Sequence, residues 1–345
     1  MNILNICDTL CWDLVAYQAL HTAVRFDRTG NNVTVLCHKK SRLYAECQQH
    51  QVNTRPIPLG FKFGFFETDG WDIVHFYNPD YMNPLFLKKA RASSKIFVTQ
   101  FKLGNPRAFE KLSLLEPYID HYIAGCNSVQ EEFYRVGIDQ SKTFKVPPAI
   151  NLGRWESAML IKPAMFLRRP YRIGTVSMDP TFKEQELFLL MAKEVLHVLP
   201  NTNFLVVGIK DERVRDMARN LGISHKVDVL WERNDMPEIM AMMHIYAKTA
   251  VREGLSMSFL EAQSSGVACV VPRLRGLSDF IVCDHNALIV EPGDVLSCTK
   301  AVIYLINNPP VCHTMSKIAF DYVSNNMALP VVCNLLLRLY EEALN

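Results

Sequence analysis

Twice along this chain, short continuous apolar runs alternate with longer amphipathic segments, and the alternation restarts after a proline- and arginine-rich interruption. Runs that are apolar throughout, rather than at every second residue, mark strands covered on both faces, as in parallel sheets. In the first series Asn2–Cys7, Val33–His38, Asp72–Phe76, Lys95–Gln100 and Tyr118–Ala124 read as strands. A helical stretch from about Trp12 to Gly30 and helices over Leu85–Ala92, Arg107–Leu115 and Ser128–Val136 fill the gaps. Val146-Pro147-Pro148-Ala149 ends a further strand, and the Pro- and Arg-rich stretch from Lys162 to Arg172 reads as a connection, because proline resists both helix and central strand. The second series has strands at Arg172–Val176, Phe204–Val207, Val227–Leu230, Ile245–Ala250, Ala268–Val271 and Ala287–Val290. Helices over Glu186–Val198, Asp211–Asn220, Ser256–Ser265 and Val295–Ile306 lie between them. Two successive βαβ series predict an α/β chain of two doubly wound Rossmann-like domains facing each other across a cleft at the carboxyl ends of their sheets. The expected bounds are 1–160 and 171–325, with an amphipathic helix in 326–345 packing at the seam between the domains.

A length of 345 residues, about twice an ordinary domain, agrees with that division. A net charge of +2 is too small for a chain held to nucleic acid by a broad basic field. The local clusters Lys39/Lys40/Arg42, Lys88/Lys89/Arg91 and Arg168/Arg169/Arg172 read as solvated faces, with peripheral contact to anionic lipid headgroups or a phosphorylated acceptor as the functional alternative. The ten cysteines are scattered without a C-x-x-C pair, several inside apolar runs, so reduced buried thiols and a cytoplasmic protein are expected. MNILNICD shows no signal peptide, and no segment approaches the ~20 apolar residues that span a bilayer. The chain has no G-x-x-x-x-G-K-[ST] loop, complete G-x-G-x-x-G fingerprint, H-E-x-x-H or nucleophile elbow. The aromatic run from Gly60 to Trp71 reads as packing on the first sheet, or else as an exposed loop touching a membrane or an acceptor.

The most informative stretch is REGLSMSFLEAQSSGVACVVP, Arg252 to Pro272. A buried strand ends near Ala250, a short loop carries Glu253 and Gly254, and a helix opens at Ser256 and stops at Gly266. Serine is placed to cap, and Gly254 lets the backbone approach a ligand closely. The amides of Leu255, Ser256 and Met257, with the helix dipole behind them, suit a pyrophosphate. Glu253 precedes the helix and Glu261 lies well inside it, so the two carboxylates can address opposite ends of one extended ligand by accepting hydrogen bonds from hydroxyls. No His or Asp stands at a supporting spacing, so neither a metal nor another cofactor is expected.

EGLSMSFLEAQSSGVACVVP resembles the E-x7-E signature of the retaining family 4 glycosyltransferases, the glycosyl transferases group 1, which have the GT-B fold. GNNVTVL at Gly30–Leu36, DIVHFYNP at Asp72–Pro79, IAGCNSVQEEFYRVGI with KVPPAINLGRW, LVVG at Leu205–Gly208 and EPGD at Glu291–Asp294 extend the resemblance over most of the chain. It implies a metal-independent hexosyltransferase of carbohydrate biosynthesis, working on a nucleotide-sugar donor and on a glycan, lipid-linked or protein acceptor that the sequence does not specify. By the same resemblance Glu261 binds the ribose hydroxyls, Glu253 faces the transferred sugar as the catalytic carboxylate, Gly254 to Met257 hold the diphosphate, and Lys183 clamps it. His75 survives from the family's strand, and a half-buried structural histidine is its favoured reading, with a place in the cleft as the alternative.

Several positions depart from the family pattern. The glycine loop after the first strand is replaced by DTLCWD, Asp8–Asp13, and Ser177-Met178 replaces the Gly-Arg that precedes Lys183. Phe101 stands where a histidine usually approaches the reacting sugar, and Asp279 where a glutamate is usual. These departures motivate an alternative, a catalytically impaired nucleotide-sugar-binding subunit that supports an active homologous partner. A different GT-B enzyme, an epimerase or phosphorylase, is a third reading, disfavoured by the intact signature.

Overall fold

The computed structural model describes residues 1–57, 69–77, 82–103, 106–155, 158, 169–178, 181–208, 210–231, 233, 235–251, 255–282 and 285–345. Most of the aromatic run expected near the first sheet (60–68) and most of the Pro/Arg-rich connection therefore lie outside the described residues. The chain divides into two compact units, Met1–Ala149 with Asn326–Asn345, and Ile150–Asn325. Each is built on a parallel sheet with helices between the strands, the two-sheet α/β architecture of the GT-B fold.

In the first unit the strands β1 (Asn2–Cys7), β2 (Asn32–Cys37), β3 (Asn53–Pro56), β4 (Ile73–Phe76), β5 (Lys95–Gln100), β6 (His121–Ala124) and β7 (Thr143–Lys145) pair in the order β3-β2-β1-β4-β5-β6-β7. Helix α1 (Leu14–Arg28) links β1 to β2 and α2 (Arg42–Gln49) links β2 to β3, so both serve one half of the sheet. The chain then moves the other way through α3 (Pro84–Ala90), α4 (Pro106–Leu114) and α5 (Asn127–Arg135). Right-handed crossovers place these three on the opposite face. The α1 face over β4 and β5 is thereby left without a helix of its own.

The carboxyl-terminal helix fills that gap. Its Tyr340 is fully buried, with its ring 5.8 Å from Phe26 of α1 and 4.8 Å from Phe97 of β5, centroid to centroid. On the same face the side-chain amide of Gln18 in α1 donates to the carbonyl of Ala149 and accepts from its amide, both at 2.8 Å, fastening the segment after β7.

In the second unit β8 (Tyr171–Ser177), β9 (Thr202–Gly208), β10 (Val227–Trp231), β11 (Ile245–Ala247), β12 (Ala268–Pro272) and β13 (Leu288–Val290) run in the order β10-β9-β8-β11-β12-β13. The helices are α6 (Lys183–Val198), α7 (Arg213–Asn220), α8 (Met236–Ala241), α9 (Met257–Ser264), α10 (Val295–Asn307) and α11 (Pro309–Asn326), before α12 (Leu329–Leu344) returns to the first unit. The core lies where α6 and α10 meet the sheet, around Phe188, Met191, Phe204, Val270, Val302 and Leu305.

The strands expected from continuous apolar runs are present, some shortened. Tyr118 belongs to a 3-10 turn that leads into β6, and β11 ends at Ala247 instead of Ala250. The elements left unassigned by sequence have weak patterns. β3 reads NTRP and is mostly exposed at a sheet edge, where no apolar run is needed, and α11 opens on two prolines. Proline is tolerated in a first helical turn because the amide it lacks would have no partner there. The cysteines among the described residues are free thiols, buried except for Cys11, and burial pushes that of Cys37 up to about 12.

Candidate functional site

In the second sheet the strand order reverses between β8 and β11, so the chain leaves these two neighbours toward opposite faces. Open α/β sheets bind ligands just outside the carboxyl ends of the strands at such a switch point. The loops that flank it here are the one from β8 into α6 and the one from β11 into α9. Gly208 sets how closely the neighbouring strand end approaches the first of these. A Cβ at Gly208 would lie 1.9 Å from the Ser177 carbonyl oxygen, so only glycine permits this β8–β9 contact.

The structure brings five of the expected site residues to these two loops and their helices. Ser256 is the N-cap of α9, with extended backbone (φ −100°, ψ 115°), and its hydroxyl accepts from the Phe259 amide at 3.4 Å. That hydroxyl also pairs with Ser258 at 3.1 Å, and Ser258 pairs with the Tyr246 hydroxyl of β11 at 2.8 Å. A partly buried polar chain thus fixes the start of the helix, flanked by the half-buried Leu255 and Met257. Ser256 uses its side chain as a cap, which leaves its backbone amide to meet a ligand.

Glu261 lies on the second turn of α9, half-buried. Burial pushes its carboxyl up from 4.5 to about 7, while the Arg154 guanidinium pulls the other way. A carboxyl poised there, with no ion pair among the described residues, suits a ligand's hydrogen-bond donors. Lys183 opens α6 on the other side of the switch point, where its ammonium pairs with Glu186 at 2.9 Å on an exposed surface. Such a pair contributes roughly 0–1 kcal/mol, so it leaves the lysine available to a stronger anion. Phe182, just before it, has a left-handed backbone (φ 71°), a conformation that side chains other than glycine rarely adopt. Glu253 and Gly254 lie outside the described residues.

His75 belongs to the first unit. It is fully buried there, its Nδ1 bonded to the Tyr340 hydroxyl at 2.5 Å and its Nε2 to Thr99 Oγ1 at 2.7 Å. Burial pushes its imidazole down to about 3, and its ring stacks on Tyr77 at 4.3 Å. Both nitrogens have partners and the ring is fully buried, the arrangement of a structural histidine.

The departures from the family pattern also have local explanations. Phe101 is 4% exposed and turned into the first unit, against the backbone of Gly125. In the loop that replaces the glycines, Asp13 caps α1 through the Ala16 amide (3.1 Å) and pairs with Lys102 (2.6 Å), while Arg42 stacks over Trp12 at 4.6 Å. Met178, which stands in place of the usual arginine, is exposed. Sequence reasoning missed Lys248 and Glu184, a buried ion pair at 3.4 Å beside the switch point. The available signal was a lysine interrupting the apolar run IYAKTA.

Residues 169–321 match the family model of glycosyl transferases group 1. The second unit is thus similar to the glycosyl transferases group 1 domain, in a chain with the GT-B fold. Among curated relatives, the UDP-Gal:alpha-D-GlcNAc-diphosphoundecaprenol alpha-1,3-galactosyltransferase of Escherichia coli is 25% identical over 179 residues, 50% of this chain and 45% of that protein. The chain thus spans less than half the length of that relative in the match. Among solved structures, a glycosyltransferase from Rickettsia africae superposes with a TM-score of 0.84 at 17% identity, covering 100% of this chain and 98% of that one. The Anabaena protein HepE in complex with UDP gives a TM-score of 0.85 at 14% identity, over 99% and 100% of the two chains.

Proposed function

We propose that this chain is a glycosyltransferase that moves a sugar from a nucleoside-diphosphate sugar to an acceptor with retention of configuration. The observation that carries the reading is Glu261, a half-buried carboxyl held up at about 7, set one turn behind the serine-capped start of α9 at the switch point. On this reading the carboxylate accepts hydrogen bonds from both ribose hydroxyls, and the diphosphate lies along the backbone from Gly254 to Met257. Lys183 leaves its surface partner to meet the diphosphate. Glu253 orients the sugar to be transferred.

Catalysis then rests on positioning and on stabilising the departing diphosphate with fixed amides, the α9 dipole and one ammonium, a combination that asks for no metal. HepE has been solved with UDP and with UDP-glucose, and the E. coli relative is named for UDP-galactose, so uridine donors come first in any panel. The acceptor is a glycan, a lipid-linked sugar or a protein. Among the described residues no helix is long and apolar enough to cross a membrane.

A second reading, a nucleotide-sugar-binding subunit that supports an active homologous partner, is favoured by the inward-turned Phe101, which neither takes up a proton nor bonds a hydroxyl. One assay separates the two. Purified protein is offered UDP-, GDP- and ADP-sugars with a broad acceptor pool, and free nucleoside diphosphate is measured. The enzyme reading expects acceptor-dependent release from one donor. Binding without release from any donor contradicts it and supports the subunit.

A further inference from the structure

Charged residues as deep as Lys248 and Glu184, 3% and 8% exposed, are uncommon in protein interiors. An ion pair that deep gains little stability, because the desolvation of both charges offsets most of their attraction, and apolar residues of like size serve as well or better. Its position suggests another use. Lys248 is the first residue after β11 and Glu184 lies in the first turn of α6, so the pair spans the place where the strand order reverses. The ammonium and carboxylate are 3.4 Å apart.

A second bond runs in parallel, from the Thr249 hydroxyl to the Glu184 backbone carbonyl at 2.7 Å. Glu184 is thus held twice by consecutive residues of one loop, once through its side chain and once through its backbone. Beside the pair is a small indentation lined by Lys248 and Thr249 with Leu187, Pro272, Glu291 and Gly293. The two segments joined are the ones the proposed donor site draws on, Lys183 being the residue before Glu184 and the Ser256 cap following Lys248 in the same loop.

We infer that Glu184, Lys248 and Thr249 form a positioning clamp, which fixes the first turn of α6 in register with the loop leading into α9 so that Lys183 and the α9 amides meet one diphosphate together. The inference rests on the nucleotide-sugar reading. Two rigid loops held at a set separation lose less freedom on binding than two independent ones. Fastening two loops matters most to a ligand that touches both, so the effect should grow with the number of phosphates and be small for the nucleoside.

The test is a double-mutant cycle read by two measurements. Thermal midpoint and calorimetric affinity for UDP, UMP and uridine are taken for wild type, Glu184→Gln, Lys248→Met, the double variant and Thr249→Val. Each charge deletion alone takes one partner from a buried charge and lowers the midpoint, whereas the double variant recovers much of it. The clamp predicts that the recovered double variant still binds UDP roughly ten- to a hundredfold more weakly, with uridine affinity changed far less. Recovery of UDP affinity together with the midpoint makes the pair merely structural and overturns the inference. Should the double variant not fold, Thr249→Val decides: a selective loss of UDP affinity at an unchanged midpoint supports the clamp, and unchanged UDP affinity contradicts it. Should the wild type bind none of GDP, ADP or these three, the donor reading itself has failed, and the clamp falls with it.

Discussion

Replacing Glu261 by Gln is expected to make the free protein more stable above neutral pH and to remove most of its affinity for the donor. The carboxyl is raised from 4.5 to about 7 by burial, so between those values the folded chain keeps a proton that the unfolded chain has lost. Stability therefore falls as pH rises from about 4.5 to 7, and the full penalty is present above 7. A tenfold change in proton affinity corresponds to about 1.4 kcal/mol, and for a half-buried group we expect a net gain of about 1–3 kcal/mol on neutralisation. For a chain of this size that is several degrees in midpoint, at roughly 2–4 °C per kcal/mol. The gain should be present at pH 8 and absent at pH 4.

The donor side has the opposite sign. Hydrogen bonds to a charged acceptor contribute about 1.5–3 kcal/mol each, and two ribose hydroxyls make two of them, so Glu261→Gln should weaken binding by roughly a hundredfold or more. In the wild type, affinity should also fall as pH drops below 7, because a protonated carboxyl accepts these bonds poorly. A substitution that stabilises the fold while removing the ligand marks a group kept for function. Thermal melts at pH 4, 6 and 8, with calorimetry at pH 7.5, check both halves. A Glu261→Gln protein less stable than wild type at pH 8 would instead mean that the carboxylate is a structural partner of Arg154.

The second large effect concerns Tyr340, far from the signature in sequence and in the other unit. Its ring closes the face of the first sheet that the crossover helices leave bare, and its hydroxyl occupies one nitrogen of the buried His75. Tyr340→Ala should cost about 3–5 kcal/mol for the lost ring and its cavity, with a further ~1–3 kcal/mol for the stranded histidine nitrogen. Tyr340→Phe keeps the ring and should show only the second, smaller loss. Urea denaturation followed by a probe in the first unit measures both. An alanine variant within about 1 kcal/mol of wild type would contradict the role given to α12.

The contrast between these two sites shows what the sequence made legible. The parallel sheets were readable because a strand buried on both faces must be apolar at nearly every position, as in IVHF or ACVVP, and no amphipathic helix leaves that mark. The start of α9 was readable too, since a serine before an apolar helix and a glycine after it are local chemistry. His75 was harder. Its surroundings are set by Thr99 and Tyr340, which lie 24 and 265 residues away, and local pattern carries no trace of such partners. The same holds for Glu184 and Lys248, ordinary surface types in sequence that only the β8–β11 adjacency brings together. β3 went unread because an exposed edge strand has no apolar pattern to obey.

Whether the switch point of the second sheet binds a nucleoside-diphosphate sugar is decided by calorimetric titration of the wild-type chain with UDP-, GDP- and ADP-sugars. Saturable binding of one donor class at one site per chain is expected, with the affinity falling as pH is lowered from 8 to 6. Absence of binding by every donor at millimolar concentration would contradict the donor site, leaving the GT-B fold in place without the ligand that the fold was read to hold.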